Sequence, residues 1–290
     1  MKLASFDGGR VGYIEGDRLV DVTTLVIEPG DRWPPVAMVQ LIARFDELEP
    51  AMLNGKNPRI PLSDARLETP IQWPNKVIAF PANYREHIAE MQTGTGLISR
   101  FSADGQGFFL KANSSLSGPA DPIVIPNLPA REIHHECELA VIIGRRGRHI
   151  ARADAYRHVF GYACLIDIVV RGKEERVMRK SFDTFCPVGP YIVTSDEVPS
   201  PTHLQMELAV NGEVRQRANT RDMIVDIPSM IEMASAVMTL YPGDIIASGT
   251  PAGVGPIDAG DRLSIQIENV GSMLLTVSRG TETPHPVWRK

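Results

Sequence analysis

Two glutamates one residue apart, Glu136 and Glu138, open an otherwise apolar run that begins at His134 and His135 and continues Cys137-Glu138-Leu139-Ala140-Val141-Ile142-Ile143. The run has the composition of a buried strand. Strand side chains alternate faces with a period of two, so both carboxylates point one way and Cys137 the other. Like charges at the mouth of a buried strand repel and resist leaving water. The remedies are a shared proton, a basic partner or a metal ion. A third acid, Asp167, has apolar neighbours on both sides within residues 161–170. Most acids are solvent-facing charges at strand ends; Asp167 fits that description poorly. Three carboxylates form the donor set of a hard divalent cation, Mg2+ or Mn2+, with water or substrate oxygens completing the shell. His134 and His135 raise the alternative of zinc, but adjacent strand residues face opposite ways, so at most one of them joins such a site.

His87 and Glu90 lie three residues apart in Asn83-Tyr84-Arg85-Glu86-His87-Ile88-Ala89-Glu90-Met91, which reads as a short helix, and that spacing puts them on one face. A histidine oriented by a carboxylate is the usual construction of a general base near neutral pH. An isolated pair of this kind is more often a surface ion pair. Position favours the catalytic reading here: the pair stands just before the polar, Gly-rich residues 92–107, whose composition is that of an active-site lid. Lys180 is either a surface lysine or an electrostatic stabiliser. In Gly249-Thr250-Pro251-Ala252-Gly253-Val254-Gly255 the glycines permit close backbone approach to an anionic ligand, and Thr250 offers a hydroxyl and an N–H. No Gly-Lys-Ser/Thr follows, so it is no P-loop, and it lacks the βαβ setting of a dinucleotide fingerprint.

These groups need a scaffold of strands and turns, and 290 residues with 24 Gly and 23 Pro supply one. Residues 1–25 alternate short apolar runs with turn residues. A helix is expected over residues 36–48, with Ala37, Leu41, Ile42, Phe45 and Leu48 as its stripe. Pro61, Pro70 and Pro74 then place a boundary near residue 70, giving a small N-terminal α/β domain (1–70) and a larger domain (71–290). Strands are expected at residues 76–80, 108–111, 123–125 and 161–170. Asn211-Gly212 marks a hairpin, a helix runs from Asp226 to about Leu240, and two strands lie between Arg262 and Val277. Hydrophobic content of 43% is that of a globular chain, and a net charge of −5 leaves no basic surplus for nucleic acid. The Arg-rich residues 144–152 read as a solvated turn. Cys137, Cys164 and Cys186 lack CxxC spacing, which fits reduced thiols in a cytoplasmic protein. The N-terminus lacks the apolar core of a signal peptide, and no apolar run is long enough to span a membrane.

Five motifs in order carry a resemblance to the fumarylacetoacetate hydrolase (FAH) superfamily over about residues 74–277. They are Asn83-Tyr84-Arg85-Glu86-His87; Glu136-x-Glu138-Leu139-Ala140; Asp167 at the end of Gly161-Tyr162-x-x-x-x-Asp167; Lys180-Ser181-Phe182-Asp183-Thr184-Phe185 with Pro187-x-Gly189-Pro190; and Gly243-Asp244 leading to Gly249-Thr250-Pro251-x-Gly253-Val254-Gly255. The resemblance implies a mainly β (α+β) mixed β-sandwich roll behind a small N-terminal domain, a homodimer, and a Mg2+ or Mn2+ site. It matches Glu136, Glu138 and Asp167 to the metal ligands, His87 and Glu90 to a water-activating dyad, and Lys180 to the family's lysine. Thr250 matches a substrate-carboxylate contact, beside Gly249 and Arg171. The implied chemistry is hydrolysis of a carbon–carbon bond in a 2-oxo or 1,3-dicarbonyl acid. An isomerase or decarboxylase of the same superfamily is the alternative, and a non-catalytic binding protein a more distant one. The chain departs from the family after the metal aspartate: where Arg-Asp-x-Gln is common, it has Arg171-Gly172-Lys173-Glu174.

Overall fold

In the computed structural model, residues 1–27, 34–95, 102–128, 130–282 and 285–289 are described. Their strands form sheets of twelve, five and three strands. The twelve-stranded sheet is centred on Cys137–Ile143, antiparallel to Val159–Ile166 on one side and to Ile245–Ala247 on the other. Val159–Ile166 pairs in turn with Cys186–Thr194, and that strand pairs with Lys2–Phe6. The N-terminal strands Lys2–Phe6, Arg10–Glu15 and Arg18–Asp21 therefore extend the sheet that carries the acids.

Cys137–Ile143 is buried at every position because both faces of its sheet are covered. Cys137, Leu139, Val141 and Ile143 pack with Leu208, Leu263 and Ile265 of the five-stranded sheet and with Met230 and Ile231 of the helix Ile227–Val237. Ala140 and Ile142 face Met38, Leu41 and Ile42 of the helix Ala37–Ala43. Sheet on sheet on one side and sheet on helix on the other make a mainly β, α+β sandwich. The helix Ile227–Val237 starts where its residues say it should: the Asp226 carboxylate accepts from the Ser229 amide at 3.0 Å, with Pro228 in the first turn. The hairpin of Gln205–Val210 and Glu213–Asn219 turns through Asn211 and Gly212, both at positive φ.

Four expected elements take a different form. The helix over residues 36–48 is two helices, Ala37–Ala43 and Phe45–Met52. The Arg44 amide is shared between the carbonyls of Gln40 and Leu41, which tightens the last turn and redirects the chain. The opening strand is interrupted at Glu136, between Ile133–His135 and Cys137–Ile143. The strand over residues 161–170 starts earlier, at Val159, and breaks after Ile166; Val169–Val170 pairs instead with Ile133 and His134 in the three-stranded sheet. Glu136 and Asp167 thus sit where two strands leave the large sheet together. Finally, the polar residues 92–107 include helical structure: the helix Arg85–Thr95 runs into them and Ala103–Gln106 forms another short helix. The remainder of the expected lid, residues 96–101, lies outside the described residues.

Candidate active site

Cross-strand register assembles the acids. Cys137 lies opposite Ile166 and Glu138 opposite Leu165. One step further, the Asp167 amide donates to the Glu136 carbonyl at 2.8 Å, so Glu136 and Asp167 are cross-strand neighbours. Directly opposed strand residues share a face with Cβ atoms about 5 Å apart. Ligand atoms of Glu136, Glu138 and Asp167 accordingly lie within 4.8 Å of one another, and all three side chains are buried.

Two buried lysines neutralise part of this charge. Lys180 Nζ bridges Glu136 Oε2 and Asp167 Oδ2, each at 2.6 Å. Lys111 Nζ donates to Asp167 Oδ1 at 2.6 Å and to the carbonyls of Lys180 and Phe185. The two lysines are 3% and 6% exposed, Lys111 the deeper, so Lys180 is no surface lysine. Burial works to raise the Glu136 carboxyl, but Lys180, Arg171 and His87 outweigh it and hold it well below the usual range. Glu138 goes the other way: burial, then the negative charge of Asp167, push it well up. The Gly249 amide, donating to Glu138 Oε2 at 2.8 Å, does not reverse this. Three hard oxygen donors that converge with opposed shifts on neighbouring carboxyls are a donor set suited to a divalent metal.

His87 is buried and pairs through Nδ1 with Glu90 Oε2 at 2.9 Å. Burial works to raise the Glu90 carboxyl, but bonds from His87 and the Gly253 amide outweigh it and keep Glu90 ionised. An ionised carboxylate only accepts, so Nδ1–H of His87 is the donor of that bond and Nε2 is the ring nitrogen left for proton transfer. The helix Arg85–Thr95 supplies both residues. Asn83, just before it, anchors the start with bonds from its side-chain amide to the carbonyls of Val225 and Ser248.

Gly249 has φ of 86°, and a Cβ there would lie 2.6 Å from Asn83 Cβ and 2.7 Å from the Phe80 carbonyl oxygen. Only glycine allows that loop to pass so close and still aim its amide at Glu138. The structure thus directs the Gly249 N–H to a carboxylate of the acid cluster, whereas the sequence suggested a ligand contact. Thr250 Oγ1 accepts from Gln216 Nε2 at 2.8 Å, which leaves its own proton available to a ligand. Gln216 also ties the strand carrying the acids: its Oε1 accepts from the Cys137 amide and pairs with His135 Nδ1. His135 is fully buried, and burial pushes its imidazole down to about 4, so it is neutral. His134 pairs with Glu132 through Nε2 and accepts from Arg171 Nε through Nδ1. Neither histidine adjoins a zinc-type cluster among the described residues. Arg171 also leans toward Glu136 Oε1 at 4.0 Å.

Lys111 and Gln216 were not singled out by sequence. A lysine closing an apolar strand and a glutamine inside a polar hairpin strand both read as surface residues; only their burial, with partners far along the chain, marks them.

The departure at Gly172 and Glu174 is one coupled change. Glu174 Oε1 pairs with Arg131 Nη2 at 2.7 Å, and Arg131 Nη1 donates to the Arg171 carbonyl at 3.2 Å. A Cβ on Gly172 would lie 2.2 Å from Arg131 Nη1 and 2.3 Å from Glu174 Oε2. Gly172→Asp is therefore expected to displace the Arg131–Glu174 pair and destabilise the fold by about 1–3 kcal/mol, read as a fall in the urea midpoint. An unchanged midpoint would show that the loop yields without cost.

Comparison with known proteins agrees with this geometry. Residues 76–278 match the family model for the fumarylacetoacetate (FAA) hydrolase C-terminal domain. The chain is 41% identical over 285 residues to a maleylpyruvate hydrolase of Aquipseudomonas alcaligenes, covering 96% of this chain and 99% of that one. It is 52% identical, with a TM-score of 0.87, to the crystal structure of maleylpyruvate hydrolase from Sphingobium sp. SYK-6 in complex with manganese(II) ion and pyruvate, over 97% of this chain and all of that one. A mitochondrial oxaloacetate tautomerase of Rattus norvegicus is 33% identical over 89% of this chain and 83% of its own length. With the motifs, the sandwich and the carboxylate cluster all in agreement, this chain belongs to the fumarylacetoacetate hydrolase family.

Proposed function

We propose that this protein is a Mg2+- or Mn2+-dependent hydrolase that cleaves a carbon–carbon bond in a 2,4-dioxo acid of the maleylpyruvate type. The observation that carries the reading is the His87–Glu90 pair, bonded to the Gly253 amide of the loop whose Gly249 amide bonds Glu138 in a cluster of three buried carboxylates. Manganese and maleylpyruvate come from the names of relatives matched over nearly the full chain. The donor set fits the metal: three hard carboxylate oxygens converge on one buried point. When bound, the metal would supply Lewis acidity and a template for the 2-oxo acid end of the substrate.

The chain's own residues do the rest. The Thr250 hydroxyl, held by Gln216, and Arg171 bind the substrate's first carboxylate. Glu90 fixes the His87 ring, whose free Nε2 takes a proton from water as that water attacks the distal carbonyl. Collapse of the adduct breaks the carbon–carbon bond, releasing one carboxylic acid and the enolate of pyruvate. Lys180 is placed to offset the developing negative charge, and a proton returned to carbon yields pyruvate.

The test is product analysis with Mn2+-loaded protein on maleylpyruvate, acylpyruvates and oxaloacetate. Stoichiometric pyruvate and maleate are expected from maleylpyruvate, with turnover lost on chelation and restored by Mn2+. Isomerised product without cleavage, or CO2 from oxaloacetate as the main reaction, would favour the tautomerase or decarboxylase chemistry of other relatives. The same reading includes a role in aromatic-ring catabolism, a cytoplasmic homodimer and a distinct N-terminal unit over residues 1–70; light scattering checks the assembly. Among the described residues no helix is long and apolar enough to cross a membrane.

A further inference from the structure

Two arginines that this chemistry does not use stand on the short helix Arg176–Arg179, which leads directly into Lys180. We propose that Arg176, braced by Gln106 and laid over Phe109, is a second anion subsite that binds the far carboxylate of a substrate with an acid group at each end. The inference rests on the proposed function and names which residue reads the distal end.

Geometry places Arg176 against the site. Its guanidinium carbon is 5.3 Å from the centroid of the Phe109 ring, and Lys180 Nζ stands 5.7 Å from the same centroid. One aromatic ring therefore carries both the cation that bridges Glu136 and Asp167 and the cation at the start of the same helix. The charges of Glu136 and Asp167 are felt at Arg176. Its head is also fixed: Nη2 donates to Gln106 Oε1 at 2.8 Å. A guanidinium stacked on a ring and held at one nitrogen has its fork oriented before a ligand arrives, which lowers the entropy lost on binding.

Its remaining donors have no acid to serve. Arg131, Arg152 and Arg217 each pair with a carboxylate, Glu174, Asp226 and Glu207 respectively. Among the described residues Arg176 forms no such ion pair. Nor does Arg179, whose nitrogens donate to the carbonyls of Glu174 and Val170. Burial and the neighbouring Arg171 and Arg176 work against the charge on Arg179, while Glu136 and Glu174 favour it.

Charge balance points to the same ligand class. Counting Glu175, which acts on Arg176, four carboxylates face five cations: Lys111, Lys180, Arg171, Arg176 and Arg179. A bound divalent metal would widen the surplus. A 2-oxo acid with one carboxylate leaves most of it uncompensated, whereas a diacid places its second negative charge beside the guanidinium that lacks a partner. The triad and Lys180 engage the 2-oxo acid end, so Arg176, against the same ring as Lys180, is positioned for the far end.

The experiment is calorimetric binding to Mn2+-loaded protein of two ligands that cannot be cleaved by the proposed reaction. These are 2-oxoadipate and 2-oxohexanoate, equal in chain length but ending in a carboxylate and a methyl group. The native protein is expected to bind 2-oxoadipate ~10–100-fold more tightly, the range for a charge-assisted bond to a partly buried guanidinium. Arg176→Gln is expected to collapse that preference to about twofold, and Arg176→Lys to restore part of it. Gln106→Leu, which removes the brace and keeps the guanidinium, is expected to fall between. Equal affinity of the native protein for both ligands, a preference retained in Arg176→Gln, or an equal loss of both ligands in that variant would overturn the proposal. No turnover is read in this assay, so a failure of the hydrolase assignment is registered separately, in the product analysis above.

Discussion

Replacing His87 with alanine is expected to reduce hydrolysis by ~10²–10⁴-fold while Mn2+ still binds, because positioned general-base catalysis contributes about that much. The imidazole touches Glu90 and no residue of the acid cluster is bonded to it. Its removal therefore takes away the proton acceptor and leaves the donor set in place. Glu136 keeps its bond from Lys180 at 2.6 Å and the approach of Arg171. Glu90→Gln is expected to give a smaller loss: the single amide oxygen of glutamine can accept from His87 Nδ1–H or from the Gly253 amide but not from both, and the charge that steadies an imidazolium is gone. Single-turnover rates and Mn2+ titration followed by electron spin resonance check both variants. An alanine variant that kept a tenth of native turnover would remove His87 from the mechanism.

Asp167→Ala carries the largest expected structural effect. Asp167 accepts from Lys111 through one oxygen and Lys180 through the other, each at 2.6 Å. Truncation leaves two ammonium groups facing a void in a site almost sealed from water. Breaking a buried ion pair from one side costs about 3–5 kcal/mol, and here one carboxylate serves two partners. A marked fall in denaturation midpoint is expected, together with loss of Mn2+ binding. Asp167→Asn separates the two roles: the amide oxygen still accepts from one lysine, so stability should recover in part, while Mn2+ binding stays lost. Native Mn2+ affinity in Asp167→Asn would exclude this carboxylate from the metal site.

Much of the site was legible because its chemistry is written in local periodicity. Glu136 and Glu138 lie two apart on an apolar run, and His87 and Glu90 three apart on a helix; both spacings fix a shared face wherever the element goes. The glycine at 249, the Asn211-Gly212 turn and the Asp226 cap are likewise local statements about backbone conformation. Even the break at Glu136 leaves the two glutamates together, since Glu138 continues the alternation of Ala140 and Ile142.

Other features have no local signature. That Glu136 meets Asp167 follows from the register of Cys137–Ile143 against Val159–Ile166, which is set by two apolar layers closing over the sheet. Lys111 reaches Asp167 across 56 residues of chain, and Gln216 joins Thr250 to Cys137 from a third sheet strand. Arg131 and Glu174 explain Gly172 only once they are seen occupying the space of its absent side chain. Shared faces and positions that demand glycine are legible along the chain, because they depend on neighbours two to four residues away. Which faces meet, which cations neutralise which acids and which arginine is left without one emerge on folding, because burial and pairing depend on surfaces brought together from distant parts of the chain.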